Sequence, residues 1–191
     1  MNRKAKSPRI LFVAMGSDND LKYQCSAGLE VLIQETRFGS VDVRDVLTAS
    51  IHRMHHELCE LLKMWHESGE TLVIVAGAGW AAHLPGMIDA ILGYDHGNAR
   101  IYVIGVAFED RKNERHTTAA ELSISEVPNT RVIYGDSQGN FVGPLGFHRA
   151  CIYASTGTLP ELKVPEKEYK IVHRSLLEAY DYSLTGLNEP L

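Results

Sequence analysis

Apolar residues along the chain form short runs and longer stretches with helical spacing, and these two kinds of segment follow one another in turn. The short runs predict five strands, at residues 10–15, 41–46, 72–75, 101–106 and 131–134. The first run is apolar throughout, which is typical of a strand buried on both faces of a sheet. The second alternates apolar and polar positions less regularly, which favours a place near the sheet edge.

Helical spacing and turn residues fill the intervals between these runs. Helices are predicted from the turn at 16–20 to about residue 35, around 58–65, at 88–92, near 117–125, through 150–154 and, in amphipathic form, around 171–180. Regular alternation of strand and helix predicts an α/β fold in which a parallel sheet carries helices on both faces.

The length of the chain indicates one domain with appended ends. Its 191 residues are enough to enclose a single core. We predict an N-terminal tail at 1–8, the α/β domain at 9–158 and a C-terminal helical extension at 159–191.

Composition and charge argue against several kinds of partner. The formal net charge is −5 and the sequence has no dense basic stripe, so nucleic acid is not an expected partner. Apolar stretches are too short to span a membrane, and residues 10–15 are too few for a signal peptide. Cys25, Cys59 and Cys151 are odd in number and far apart, which indicates reduced thiols in the cytoplasm.

The most distinctive stretch runs from Ala76 to Met87 and reads Ala-Gly-Ala-Gly-Trp-Ala-Ala-His-Leu-Pro-Gly-Met. It joins a predicted strand to a predicted helix. Small residues let a ligand approach the main chain closely, and the amides at the start of a helix suit an anionic group. His83 lies at this junction, where its side chain can face a ligand, and Pro85 fits the first helical turn.

Two further polar loops are expected to meet this stretch. Residues 16–20 follow the first strand and residues 50–53 follow the second. Ligands bind at the carboxyl ends of the strands in such sheets, so the three loops should converge. Together they offer the hydroxyl, carboxylate, guanidinium and imidazole groups of Ser17, Ser50, Asp20, Arg53, His52 and His83. This set suits a small phosphorylated sugar and a proton transfer.

Each of these residues also has a purely structural interpretation. Ser17 and Asp20 are good helix caps, and the Ser50 hydroxyl could form only local hydrogen bonds. A lone Arg53 is commonly a surface ion-pair residue. His52 could belong to a solvated helix start, and a metal site that includes His83 is a further alternative.

The three loops together resemble the signature loops of the PurE family. The matching residues are Met15-Gly16-Ser17-x-x-Asp20, Ser50-x-His52-Arg53 and the long stretch from Ala76 to Met87. This family comprises the N(5)-carboxyaminoimidazole ribonucleotide mutases and aminoimidazole ribonucleotide carboxylases of purine biosynthesis. The similarity covers roughly residues 9–156 and leaves the C-terminal extension outside.

The resemblance implies a three-layer αβα, flavodoxin-like fold, a homo-oligomer that is commonly an octamer, and a ribonucleotide substrate with carbon dioxide. It implies no metal or organic cofactor. His52 would be the proton shuttle at the imidazole carbon, and His83 would face the base and carbon dioxide. The residues expected to bind the substrate are Ser17, Asn19, Asp20, Ser50, Arg53, Ala76, Gly77, Gly79, Trp80, Ala81, Ala82 and Leu84.

Several positions depart from the family pattern. Asn19 stands where a serine is usual, Ile51 where a small residue is usual, and Met54-His55 where Thr-Pro is usual. Trp80 replaces a glycine; it could stack on a different base, narrow the site or turn outward. These changes leave open a different phosphorylated nucleoside as ligand, a protein that binds nucleotides without catalysis and, from the fold alone, a flavin protein.

Overall fold

The computed structural model describes residues 7–166 and 171–185, and its centre is a parallel sheet of four strands in the order β2-β1-β3-β4. The strands are β1 (Arg9–Met15), β2 (Val41–Thr48), β3 (Leu72–Ala78) and β4 (Ile101–Ala107). Every residue of β3 is buried, whereas β2 lies at the edge and is partly exposed. The continuous apolar run of β1 correctly predicted a strand inside the sheet, and the alternating pattern of β2 correctly predicted a strand at its edge.

Helices cover both faces of the sheet. They are α1 (Asp18–Gln24), α2 (Ser26–Arg37), α3 (His55–Glu67), α4 (His83–Ala90), α5 (Glu114–Ser125), α6 (Gly143–Thr156) and α7 (Leu176–Thr185), with a π-helical segment at Ile91–Asp95. Alternate strand residues point to opposite faces. Phe12 belongs to an apolar cluster with residues of α3, α4 and α5, and Leu11 belongs to a second cluster with residues of α2 and α6. The three-layer αβα arrangement with flavodoxin-like strand order is confirmed.

The first predicted helix is wrong in one respect, because two helices replace it. They meet at Cys25, whose thiol is buried and donates to the carbonyl oxygen of Asp20 at 3.4 Å. The break lets α2 turn and pack against α6, where Cys25, Leu32 and Phe147 share one apolar cluster.

The fifth predicted strand, at 131–134, forms a single parallel bridge between Ile133 and Ile104 instead of a ladder. Asp89 explains why, since its carboxylate accepts from the backbone N–H of Arg131 at 2.8 Å and from Arg131 Nε at 3.0 Å. The backbone amide of Arg131 is therefore not free for strand pairing. A small hairpin, β5 (Gly135–Asp136) and β6 (Gly139–Asn140), follows.

The two described parts of the C-terminal extension differ in their contacts with the domain. Leu159 packs against the core, and the carbonyl oxygen of Lys163 accepts from Arg131 at 3.3 Å. All residues of α7 are exposed. Residues 1–6, most of the predicted tail, lie outside the described residues. Within the two described ranges, none of the helices has the length and apolar character needed to cross a membrane.

Candidate active site

The three polar loops meet at the carboxyl edge of the sheet. Met15, the last residue of β1, is paired with Thr48 of β2 and Gly77 of β3. The Gly16 N–H donates to the carbonyl oxygen of Gly77 at 2.8 Å, and the Ala49 N–H donates to that of Met15 at 2.8 Å. The parallel register therefore brings the loops side by side.

These loops enclose a cavity of about 550 Å³, which we call the main cavity. Its size lies in the range of small-ligand pockets. Most of the predicted site residues line it, namely Ser17, Asn19, Asp20, Ser50, His52, Arg53, Gly79, Trp80, Ala81, His83 and Leu84. Three further lining residues, Gly16, Ile51 and Ala78, belong to the same loops but were not predicted to bind the substrate.

Three of the predicted residues lie behind the cavity wall. Ala76 and Ala82 are fully buried, and Gly77 belongs to the buried strand β3. A Cβ at Gly77 would lie 2.6 Å from the Phe108 ring, so this glycine is needed for close packing. The structure thus places these three among the supports of the site, because their side-chain positions face the core.

Ser17 and Asp20 form the acidic corner of the main cavity. Ser17 caps α1, since its Oγ accepts from the Asp20 N–H at 3.2 Å, and its hydroxyl donates to Asp20 Oδ2 at 2.8 Å. Burial raises the pKa of the Asp20 carboxyl, while the hydrogen bonds from Ser17 and the Gly79 backbone oppose this rise. The capping interpretation is therefore correct, and the same carboxylate also lines the cavity.

Two imidazoles that line the main cavity form a pair. His52 Nε2 lies 3.0 Å from His83 Nδ1, with the rings nearly perpendicular at 72°. At this distance one ring nitrogen donates a hydrogen bond to the other, so the two tautomers depend on each other. Both side chains are exposed and can therefore reach a ligand.

The turn between β2 and α3 presents a cation. The carbonyl oxygen of Ser50 accepts from the N–H of Arg53 at 3.0 Å, which closes the turn. Arg53 is exposed, lines the main cavity and has no ion-pair partner among residues 7–166 and 171–185. A fixed guanidinium in this position suits a phosphate.

Trp80 adopts a backbone conformation that usually requires glycine. Its φ is +59°, in the left-handed region that disfavours residues with a bulky side chain. The indole stacks on the imidazole of His116, with centroids 4.1 Å apart and planes 20° apart. Sequence reasoning missed His116, because it lies in a segment whose contact with Trp80 arises only from the tertiary structure.

Metal binding receives no support from the described part of the chain. It contains no group of three or more His, Cys, Asp or Glu side chains arranged to hold an ion. All three cysteines are free thiols. Burial, with a smaller contribution from the Asp20 charge, raises the pKa of Cys25 to about 12, so this thiol stays protonated at neutral pH.

Fold and cavity together define a class: a flavodoxin-like α/β protein with a ligand-sized cavity at the carboxyl ends of its parallel strands. The family model described as AIR carboxylase matches residues 10–133, which is more than half of the chain. The chain therefore belongs to this family, the PurE family.

Two curated relatives share part of the sequence. The chain is 42% identical over 84 residues to the N5-carboxyaminoimidazole ribonucleotide mutase of Thermotoga maritima, covering 44% of each protein. It is 35% identical over 82 residues to the protein of the same name from Synechocystis, covering 43% of each. The matched region thus spans less than half the length of these relatives.

Solved structures of the family are more distant. A crystal structure of Treponema denticola PurE is 13% identical, with a TM-score of 0.46 over 65% of this chain and 71% of that one. A crystal structure of a PurE2 variant from the same organism has a TM-score of 0.48, with 13% identity over 66% and 71% of the two chains.

Proposed function

We propose that this chain is an enzyme that moves a carboxylate on an aminoimidazole ribonucleotide, as a mutase or as a carboxylase. The observation that carries the proposal is the His52–His83 pair, 3.0 Å apart, in the wall of a cavity that also presents Ser17, Asp20 and Arg53. Family membership and the names of the two relatives support the same reaction.

The imidazole pair supplies the proton transfer. In the mutase reaction the bond between the exocyclic nitrogen and the carboxyl carbon breaks, and a bond from the ring carbon to the same carbon forms. The ring carbon then loses a proton and the nitrogen gains one. A neutral His52 can accept the first proton and deliver the second, while His83 holds its ring in one orientation.

The polar groups beside the imidazole pair hold the sugar phosphate in this proposal. The Arg53 guanidinium and the Ser50 hydroxyl bind the phosphate, and the Asp20 carboxylate accepts hydrogen bonds from the ribose hydroxyls. Gly79, Ala81 and Leu84 form a wall of small and apolar groups, which can retain released carbon dioxide beside the ring.

The proposal includes association of several copies, as the family resemblance implies, with an octamer as the expected size. His52 and His83 are exposed in the protomer, and a neighbouring copy would shield the reacting atoms from water. It also includes a cytoplasmic location, which the free thiols of Cys25, Cys59 and Cys151 support, and a reaction without a cofactor, as the family resemblance implies.

The first prediction is that His52→Asn abolishes interconversion of the two carboxylated isomers. Asparagine retains hydrogen bonding but carries no transferable proton, so we expect a loss of kcat of about 100-fold or more. The rate is measured by following the isomers by NMR with the carboxyl carbon labelled. His56→Asn is the matched control, because His56 is exposed on α3 and should leave the rate unchanged.

Two results would contradict the proposal. Wild-type protein that neither binds nor converts the isomers would exclude the reaction. Full turnover by the His52→Asn variant would exclude the proposed proton shuttle.

A second candidate function is turnover or binding of a different phosphorylated nucleoside. Trp80 favours it, because its indole lines the main cavity where the family pattern has a glycine. Thermal-shift measurements with a panel of phosphorylated nucleosides distinguish the two, since each function predicts the greatest stabilisation by its own ligand.

A further inference from the structure

Trp80 is an exposed aromatic residue held in an unfavourable backbone conformation. The residue is 65% exposed and its φ is +59°. Neither property stabilises the fold, because burial of the indole is small and a left-handed φ is costly for a residue of this type. Such strain clusters at ligand sites, where the surrounding structure holds it in place.

A polar network fixes the imidazole on which Trp80 stacks. Asn113 Oδ1 accepts from the Arg115 N–H at 3.2 Å, so its amide nitrogen, 3.1 Å from His116 Nε2, is the donor. His116 Nε2 is then the acceptor, and Nδ1 donates to Asp110 Oδ2 at 2.6 Å. Both ring nitrogens are thereby satisfied in one tautomer, and the imidazole becomes a rigid support for the indole.

The uncovered surface of the indole faces ligand-sized space. Trp80 lines the main cavity and also a neighbouring cavity of about 600 Å³, which we call the side cavity. Asn19, Asp20 and Gly79 line both cavities as well. Within the described ranges His116 is absent from the lining of either one, so the imidazole covers a different part of the indole.

We propose that Trp80 is the specificity-determining residue of this site, because its free indole surface stacks against the planar base of a bound ribonucleotide. His116 and Asp110 are positioning residues that keep the indole in place. The inference rests on the proposed function, since it takes a ribonucleotide as the ligand, and it adds a base contact that a glycine at this position could not make.

The test measures the contribution of the base to binding affinity separately from that of the sugar phosphate. Ribose 5-phosphate and aminoimidazole ribonucleotide are titrated by calorimetry against wild type, Trp80→Gly, Trp80→Phe and His116→Ala. Trp80→Gly should weaken the ribonucleotide about tenfold and leave ribose 5-phosphate within about twofold, because stacking acts on the base alone. Trp80→Phe should keep most of the affinity, and His116→Ala should lose a smaller part, again for the ribonucleotide only.

A spectroscopic measurement supplies an independent readout. The chain has two tryptophans, and Trp65 is 8% exposed and packs on Phe12. In a Trp65→Phe background, the ribonucleotide should quench the fluorescence of Trp80 strongly, and ribose 5-phosphate should quench it little. Glycine accepts a φ of +59°, so the Trp80→Gly variant should melt no lower than wild type.

The outcomes separate the two proposals. Wild type that binds neither compound overturns the proposed function and the stacking contact together. Wild type that binds both, with Trp80→Gly weakening neither or weakening both equally, overturns the stacking proposal alone.

Discussion

At the scale of single residues, the same side chains serve the fold and the candidate site. The Ser17 hydroxyl caps α1 and also donates to the Asp20 carboxylate. Asp20 is partly buried beside Gly79, and this burial raises the pKa of its carboxyl. A charged group that is harder to ionise in the folded chain opposes folding at neutral pH, and the substrate-binding role that we propose for Asp20 would account for its presence.

The prediction at this scale is that Asp20→Asn stabilises the chain at pH 7. The pKa of the carboxyl is higher in the folded than in the unfolded state, so the stability that it contributes is fully present at low pH. This stability is lost as pH rises through the folded pKa. The variant should therefore melt above wild type at pH 7, and the difference should vanish below about pH 4. Calorimetric melting across this range measures it.

The matched control for this prediction is Glu30→Gln, a change of the same kind at an exposed position on α2. It should shift the melting temperature equally at all pH values or not at all. A variant Asp20→Asn that melts below wild type at pH 7 would show that the carboxylate contributes more through its hydrogen bonds than burial removes.

At the scale of elements, a buried ion pair holds the segment that follows α5 against the rest of the domain. Arg131 Nη2 lies 2.9 Å from Asp89 Oδ1, and both side chains are largely buried. Arg131 Nη1 also donates to the carbonyl oxygen of Asn98 at 2.6 Å. Asp89 lies near the end of α4, and Asn98 lies in the loop before β4. The contacts therefore attach both to the segment in which Ile133 forms its bridge to β4.

We predict that Asp89→Ala destabilises the chain by about 3–5 kcal/mol, because it leaves the Arg131 charge buried without its partner. The double variant Asp89→Ala with Arg131→Met should lose less than the sum of the two single variants, because the pair is removed together. Urea unfolding measures both values.

Glu70→Ala is the control for the variants of Asp89 and Arg131. Glu70 pairs with Arg44 on the surface, with Nη1 and Oε2 3.0 Å apart and both side chains more than a third exposed. Removing an exposed pair of this kind changes the unfolding free energy by about 0–1 kcal/mol. Equal losses at the surface and buried pairs would contradict the anchoring role of Asp89.

At the scale of the whole molecule, the α/β domain and α7 differ in how they are held. Two apolar clusters, one on each face of the sheet, include residues from strands β1, β3 and β4. In α7, by contrast, Leu176 is 86% and Leu177 is 74% exposed. The helix therefore adds little buried apolar area to its own protomer.

Removal of residues 171–191 is expected to leave the unfolding free energy of the isolated protomer within about 0.5 kcal/mol of the full chain. Denaturant unfolding at low protein concentration measures this. Removal of residues 159–191 is the control and should destabilise the protein. Leu159 packs against the core, and the backbone carbonyl oxygen of Lys163 accepts a hydrogen bond from Arg131. A large loss from the shorter truncation would show that α7 supports the domain.

Local sequence was sufficient wherever the decisive interactions are close along the chain. Continuous apolar runs predicted β1 and β3 because a strand buried on both faces needs apolar residues at every position. Loop placement followed from topology, since parallel strands bring their carboxyl ends to one edge. For this reason the sequence alone groups Ser17, Asp20, His52 and His83.

The amino-acid sequence by itself thus determined the family, the α/β class and most of the residues that line the main cavity. Only the tertiary structure decided the break at Cys25, the single bridge at Ile133 and the stack of Trp80 on His116. Each of these depends on a partner far away along the chain, such as Asp89 for Arg131. Periodicity records only which side of an element is buried, so it carries no information about which distant group a side chain meets.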